Sequence, residues 1–481
     1  GGVAGIGLAS MGVRLLVTYT PTSVPRLDDA GFHPVVMLFA LGLTLVTGLL
    51  FGLAPALRAA HGNLLPALRE GGRTSFATAG RGPGRAALVV GEIALALILV
   101  VGAGLFVRSA WRLQEVPVGF DPRGVLSARV GLPAERYRDD EAVVDAFRRI
   151  LEMVRITPGV RRAGASTGIP LVGGAPDAEL KVEGKVFPGD TAPSPFIRLI
   201  TEDYVEAVGM PLVAGRSLLA ADMAAGAPAV VLINERLARM AWPGENPLGK
   251  RLSTWTKQDE PEWREVVGVL GDIRSAGPTT PLSPELFLPY TQPPGEAWPA
   301  FQRSMAVVAR ASGNPAALAA PLGRVVRSID PSLPVYDVMT MEDALGTRYA
   351  SARFNMWLLS LLAVTGLVLA AVGIYGVIAY IVTQRTPEIG LRLALGATPA
   401  SVLLLVLQQG TRLALAGIGV GLVGALGATS LVAALLFEVQ PTDPATYVAG
   451  ATAMFLIALL ACAVPAWRAV RVNPVQVIAK S

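Results

Sequence analysis

The 481-residue chain has one cysteine and two histidines, and only 16% of its residues are charged. The single thiol, Cys462, cannot close an internal disulfide. With His33 and His61 it offers too few soft ligands for a zinc or haem site, so no metal and no cofactor are expected. Hydrophobic residues reach 52%, too many for an ordinary soluble enzyme of this length, and the chain reads as a membrane protein. The formal charge of +5 could suggest a nucleic-acid partner, but residues 108–353 carry 28 Lys+Arg against 29 Asp+Glu. The excess base therefore lies in the apolar part, where the lipid bilayer and not a nucleic acid is the expected partner.

A helix needs about 20 apolar residues to cross the roughly 30 Å hydrocarbon core. Five intervals meet that length: 34–57, 86–107, 354–384, 413–437 and 444–467. A sixth run, GGVAGIGLASMG, stops short at Arg14, and with Gly in place of Met at position 1 it reads as the cut end of a helix from a longer protein. No basic segment precedes this run, so it does not read as a signal peptide. Arg58, Arg69, Arg73, Arg81 and Arg85 fill one connection, Arg385 and Arg392 another, and Arg468, Arg471 and Lys480 the tail. The positive-inside rule places these three segments in the cytoplasm. Residues 108–353 then lie outside, as does the acidic connection 438–443 with Glu438 and Asp443.

A shift of 410 residues exposes an internal repeat: Pro34, Pro55, Arg58, Ala59 and Asn63 match Pro444, Pro465, Arg468, Ala469 and Asn473. Identities at one constant offset, spread over a span and its tail, indicate duplication. Residues 1–57 would then be the last two spans of a truncated first module, 58–85 a cytoplasmic linker, and 86–481 a complete second module. In that module 86–107 is the first span, 108–353 the outer domain, 354–384 a stalk and second span, and 385–412 a cytoplasmic region. Residues 413–437 and 444–467 are the third and fourth spans, and 468–481 the cytoplasmic tail.

Within 108–353 the longest charge-free stretch is 14 residues, below spanning length, so the insert is an aqueous domain. EAVVDAFRRILEMVR puts Val143, Phe147, Ile150, Leu151 and Val154 on one helical face. VLSARVGL, AVVLIN and EVVGVLGDI read as strands. The expectation is a helical membrane bundle with a large extracytoplasmic α+β domain in two lobes, inserted after the first span of the module. No nucleophile with an adjacent base is visible, so the chain is not expected to be an enzyme. Gly244-Glu-Asn-Pro-Leu-Gly249-Lys250-Arg251 imitates a phosphate-binding loop, yet Arg251 replaces the metal-ligating hydroxyl and Pro247 removes a backbone donor, so it reads as a turn. Glu92 inside its span reads as an interfacial anchor, and Gly417, Gly419, Gly421 and Gly424 as close-packing positions.

After the long third run comes RTPEIGLRLALGATP: Pro387 can start a helix, Glu388 suits its first turn, Arg392 lies four residues on, and Gly396 can end it. Ile389, Leu393 and Leu395 would be its apolar contacts. This run resembles the cytoplasmic segment of MacB/FtsX-like ABC transporter permeases. GRAALVVGEIALALILVVGAGLFVRSAWRL resembles the first span of that module, VVLINERLARMAWPGENPLGKRL its periplasmic core domain, and AWRAVRVNPVQVIAK its C-terminus. The repeat resembles the duplicated orphan permease branch. The resemblance implies that Arg385, Glu388, Ile389, Arg392, Leu395 and Gly396 face a separate ABC ATPase subunit on the cytoplasmic side. It implies a multi-pass inner (plasma) membrane permease, a homodimer or pseudo-dimer of modules, that relays ATP hydrolysis to the outer domain for efflux or lipoprotein export, with a periplasmic adaptor as a further partner. The alternative is a non-transporting regulator that switches an external enzyme or sensor pathway.

Overall fold

The computed structural model describes residues 34–60 and 83–470 together with positions 5, 7 and 11, leaving out 173, 188–191, 255, 258–259, 295–298, 387, 390–391, 393–394 and 396–397. The expected span before residue 34, most of the linker 58–85, Asn63, Asn473 and the tail beyond 470 lie outside the described residues. The chain forms two compact units, Gly1–Gln114 with Ala350–Ser481, and Glu115–Tyr349.

Among its described residues the first unit holds five long helices: α1 (Pro34–Ala60), α2 (Pro83–Glu115), the main part of a 44-residue helix α6 (Met341–Gln384), α7 (Pro399–Leu431) and α8 (Pro444–Val470). Among the described residues, α2, α6, α7 and α8 are long and apolar enough to cross a membrane. Helix α2 is the hub, because Ile93, Leu97, Val101 and Leu105, each four residues from the last, are all fully buried. Small residues let the neighbours approach it. A Cβ at Gly417 would lie 2.6 Å from Ile93, one at Gly421 3.0 Å from Ala94, and one at Gly424 2.8 Å from Ile98. Positions 417, 421 and 424 share one face of α7, whereas Gly419 has open space around it and packs against nothing. Glu92 lies against Gly373 of α6, where a Cβ would meet its Oε2 at 2.1 Å. At the far end, Arg108 pairs with Asp443, and Asp443 accepts the Thr446 N–H at 3.0 Å to cap α8. Ser109 Oγ accepts the Phe437 N–H at 2.8 Å, so the α7–α8 connection is tied to α2.

Among the described residues α1 and α8 are each helical over 27 residues from a proline, at the 410-residue offset of the sequence repeat.

The second unit is built on one eleven-stranded sheet. Its first lobe orders β13 (Val335–Thr340), β1 (Val125–Gly131), β12 (Ser304–Ala311) and β2 (Val160–Ser166), all antiparallel. Helices α3 (Asp140–Arg155) and α5 (Ala319–Ile329) cover one face. Val143, Phe147, Ile150, Leu151 and Val154 of α3 are each at most 2% exposed, as the apolar spacing requires. The second lobe continues with β4 (Phe196–Ile200), β11 (Glu285–Pro289), β6 (Val230–Asn234), which leads into helix α4 (Glu235–Ala241), then β10 (Arg264–Leu270), β7 (Arg251–Ser253) and β3 (Lys181–Val182), with β5 (Leu212–Gly215) also on β10, while β8 (Thr256–Lys257) and β9 (Glu260–Pro261) pair with each other. Here β4 with β11 and β6 with β10 run parallel, so the sheet is mixed. The sheet passes from one lobe to the other through β2 and β4, which pair at Ser166 and Ile200. The domain is α+β, and β1, β6 and β10 coincide with the three runs read as strands from the sequence.

At the end of α5, Asp330 accepts from the Ser332 hydroxyl at 2.7 Å and its N–H at 2.9 Å, and from the Tyr137 hydroxyl at 3.1 Å. The Ser332 hydrogen bonds, helped by Tyr137 and Arg136, hold its carboxyl below the usual carboxylate range. A depressed folded pKa contributes stability that is present above the unfolded value and lost as pH falls through the folded one. Asp330→Asn is expected to lower stability near neutral pH and flatten the further loss below about pH 4, measured by thermal unfolding across that range.

Candidate docking turn and the buried network of the outer domain

The apolar run of α6 gives way at Arg385, and one more helical turn follows, closed by the Ile389 N–H donating to Arg385 O at 2.9 Å. Glu388 accepts from Arg392 Nη2 at 2.6 Å, an i,i+4 pair with both side chains 49% exposed. Leu395 is 80% exposed, an unusual setting for so large an apolar side chain. Thr398 then caps α7 by accepting the Ser401 N–H, with Pro399 in the first helical position. Pro387, Leu393 and Gly396 lie outside the described residues.

Ile389 departs from the expectation that it faces a partner. It is 5% exposed and sits in the bundle core with Val382, Val402 and Val406. The reason is periodicity: Ala370, Ile374, Ile378 and Val382 form the buried row of α6, and Ile389 continues it seven residues on. Of the six residues singled out, the structure leaves Glu388, Arg392 and Leu395 exposed, half-buries Arg385 and uses Ile389 as the seat of the turn.

The phosphate-loop imitation at 244–251 is a turn with its donors spent internally. The Glu245 N–H goes to Trp242 O, Leu248 to Asn246 Oδ1, Gly249 to Val266 O and Lys250 to Pro247 O, at 2.9 to 3.2 Å. Gly244 and Gly249 supply positive φ values of 72° and 77°. The Lys250 ammonium pairs with Glu245 and lies 5.9 Å over the Trp242 ring. Four of the loop's backbone donors and its lysine are thus committed within the fold rather than held open for a phosphate.

A buried polar chain runs through the outer domain that no motif announced. Arg198 on β4, 3% exposed, donates to Glu285 on β11 at 2.8 Å, and Glu285, fully buried, also accepts from the Ser275 hydroxyl. The Arg198 guanidinium lies 5.9 Å from the Phe287 ring centre. Burial pushes the Glu285 carboxyl up, against the opposing pull of Arg198 and Ser275. Ser275 O in turn accepts the Leu171 N–H at 2.7 Å, and Leu171 O accepts from Arg348 Nε and Nη2 at 3.1 and 2.6 Å. Leu171 adopts φ of 70°, a left-handed conformation rare for this residue type, and Gly277 lies under the Arg348 stem. Arg348 on α6 thereby clamps the loop between the lobes. The signal in sequence was slight: a charge inside each of the apolar strands FIRLI and ELFLP.

Comparisons with known proteins agree with this architecture. Residues 86–325 match the MacB-like periplasmic core domain, and residues 360–474, which contain the turn, match the FtsX-like permease C-terminal domain. The chain is 26% identical over 292 residues to the macrolide export ATP-binding/permease protein MacB of Hahella chejuensis, covering 59% of this chain and 43% of that protein. It is 26% identical over 286 residues to the probable syringafactin export ATP-binding/permease protein SyfD of Pseudomonas syringae pv. tomato, covering 58% and 41%. The chain thus spans less than half the length of these curated relatives. The periplasmic region of MacB from Actinobacillus actinomycetemcomitans is a structural neighbour at 17% identity and TM-score 0.32, covering 49% of this chain and 97% of that one. The two domain matches, which together take in both the outer domain and the membrane helices, lead to the conclusion that the chain belongs to the MacB/FtsX-like ABC permease family.

Proposed function

We propose that the chain is the permease part of a MacB/FtsX-type ABC transporter. An ATP-binding partner grips the turn 385–396, and its hydrolysis cycle is relayed through α6 to the outer domain, which moves cargo in efflux or envelope export. The relatives carry ATP binding in their names, and that activity comes to this system as a partner's property. Under this reading the protein is a multi-pass inner-membrane component with residues 115–349 outside, working as two modules, and no catalytic residue of its own is invoked. The observation that carries it is the turn itself: an exposed Leu395 and an exposed Glu388–Arg392 pair, set on a buried Ile389, inside the segment that matches the FtsX-like permease domain. Clustered apolar and charged exposure is the usual form of a docking contact.

Orientation decides the matter. In Leu395→Cys the new thiol is expected to react with a membrane-impermeant maleimide in inside-out vesicles and stay protected in right-side-out ones. Reaction in right-side-out vesicles would put the turn outside, where no ATPase can reach it, and end the proposal.

A further inference from the structure

The five apolar intervals of the sequence contain a single acidic residue, Glu92. Counted along its own helix it lies seven residues past Arg85, which suggested an interfacial anchor, but the packing of the helices sets it deeper. Its carboxyl rests on Gly373 of α6, which is 12 residues from Arg385, the first charge after the uncharged run 354–384. At ~1.5 Å per residue that separation is about 18 Å, more than half of a roughly 30 Å hydrocarbon core. The adjacent Ile93 fits against Gly417 of α7, five residues inside Arg412.

Among the described residues the Glu92 carboxyl has neither an ion pair nor a hydrogen bond. The groups on these helices that can carry charge are engaged or set apart. The Tyr375 hydroxyl accepts from Arg468 of α8 at 3.0 Å, the Tyr380 hydroxyl accepts from Gln384 at 2.6 Å, Arg108 pairs with Asp443, and Arg412 is exposed. Leu88 and Leu95 share the face of α2 that carries Glu92, Leu369 and Gly376 share the face of α6 that carries Gly373, and all four are exposed. The carboxyl therefore lies in a seam between two helices that opens toward the acyl chains, while Ile93 and Ile374, one residue round, close it toward the core. An unpaired carboxylate is costly in hydrocarbon, whereas the neutral acid is tolerated.

We infer that Glu92 is a proton-binding site within the hydrocarbon, a neutral acid while it lies against Gly373, and that it is open to modification by a lipid-soluble carbodiimide. Loss of the proton leaves a charge that no cation answers, so ionisation favours parting of α2 from α6, the helix that ends at the turn. In the modification the carboxyl oxygen adds to the central carbon of the N=C=N unit and the acid proton passes to one nitrogen. Acyl transfer to the other nitrogen then gives a stable N-acylurea, with no leaving group and no oxidant.

The test treats the full chain in proteoliposomes, without ATPase, with dicyclohexylcarbodiimide or with a water-soluble carbodiimide, and maps adducts by peptide mass spectrometry. At about pH 7, where a solvated glutamate is ionised, the lipid-soluble reagent is expected to add once to the peptide holding Glu92, with the yield falling as pH is raised. The water-soluble reagent should spare Glu92 while it modifies carboxylates of the outer domain. Glu92→Gln should abolish the adduct. Gly373→Ala, whose new methyl would occupy the carboxyl's place, should change the labelling rate several-fold, whereas Gly376→Ala, with open space around it, should not. Absence of the adduct, equal labelling by both reagents, a yield that stays constant between about pH 6 and pH 9, or no difference between the two glycine variants would each overturn the assignment. The outcome is independent of the docking proposal, since no step in it involves ATP.

Discussion

Replacing Glu388 by Lys together with Leu395 by Asp is expected to abolish stimulation of the partner ATPase while leaving the melting temperature of the permease nearly unchanged. Both side chains are exposed, and the Glu388–Arg392 pair is a solvated i,i+4 contact worth about 0.3–0.5 kcal/mol, too little for its loss to unfold anything. At a docking site the same positions carry more: central contacts cost about 2 kcal/mol or more each when removed, so binding should fall by at least about 30-fold. ATP hydrolysis measured in proteoliposomes with and without the double variant reads this directly. Ile389→Asp is the contrasting case. Its carboxylate would be buried at a 5%-exposed core position, so lost coupling there would be accompanied by lost stability and would say nothing about contact with a partner. Stimulation that survives in the Glu388/Leu395 variant would remove the turn from the mechanism.

The second large effect lies in the outer domain. Arg198→Ala leaves Glu285 fully buried with only Ser275 to answer it, and breaking one side of such a pair typically costs about 3–5 kcal/mol. Denaturant unfolding of the purified chain should show the transition of the outer domain moving to lower denaturant by that amount. Replacing both partners, Arg198→Met with Glu285→Leu, should recover most of the loss, because no uncompensated charge is then left in the core. A double variant as unstable as Arg198→Ala would show that the pair contributes net stabilisation beyond mutual neutralisation. The pair joins neighbouring strands of the second lobe and connects through Ser275 to the Leu171 loop held by Arg348. Its loss should therefore also loosen the Arg348 clamp.

What could be read from the sequence was whatever depends on spacing along the chain. The apolar face of α3 needed only the 3.6-residue period, and its five named residues are all in the core. The α+β character of the outer domain followed from short apolar runs that read as strands between such helices. Positions 417, 421 and 424 against 419 were equally a matter of period: the first three fall on one face, and counting them together with Gly419 overlooked the helix geometry. Ile389, which the resemblance set at the partner surface, continues the buried row of α6, a placement that spacing along the helix already contained. By contrast, Arg198 with Glu285 is a contact across 87 residues and Arg348 with Leu171 one across 177. No local pattern encodes which strands become neighbours, so these partners emerge only once the sheet is assembled. The mixed order of the second lobe belongs to the same class.

Cys462 is fully buried on α8, and a Cβ on Gly410 of α7 would stand 2.2 Å from its sulfur, so the thiol lies flat against the backbone of the neighbouring helix. A water-borne alkylating reagent or nitroxide has no approach to it. Treatment of the native chain with a water-borne maleimide is therefore expected to leave Cys462 unmodified, so that spin labels or fluorophores introduced singly on the turn or the outer domain should report without a background signal.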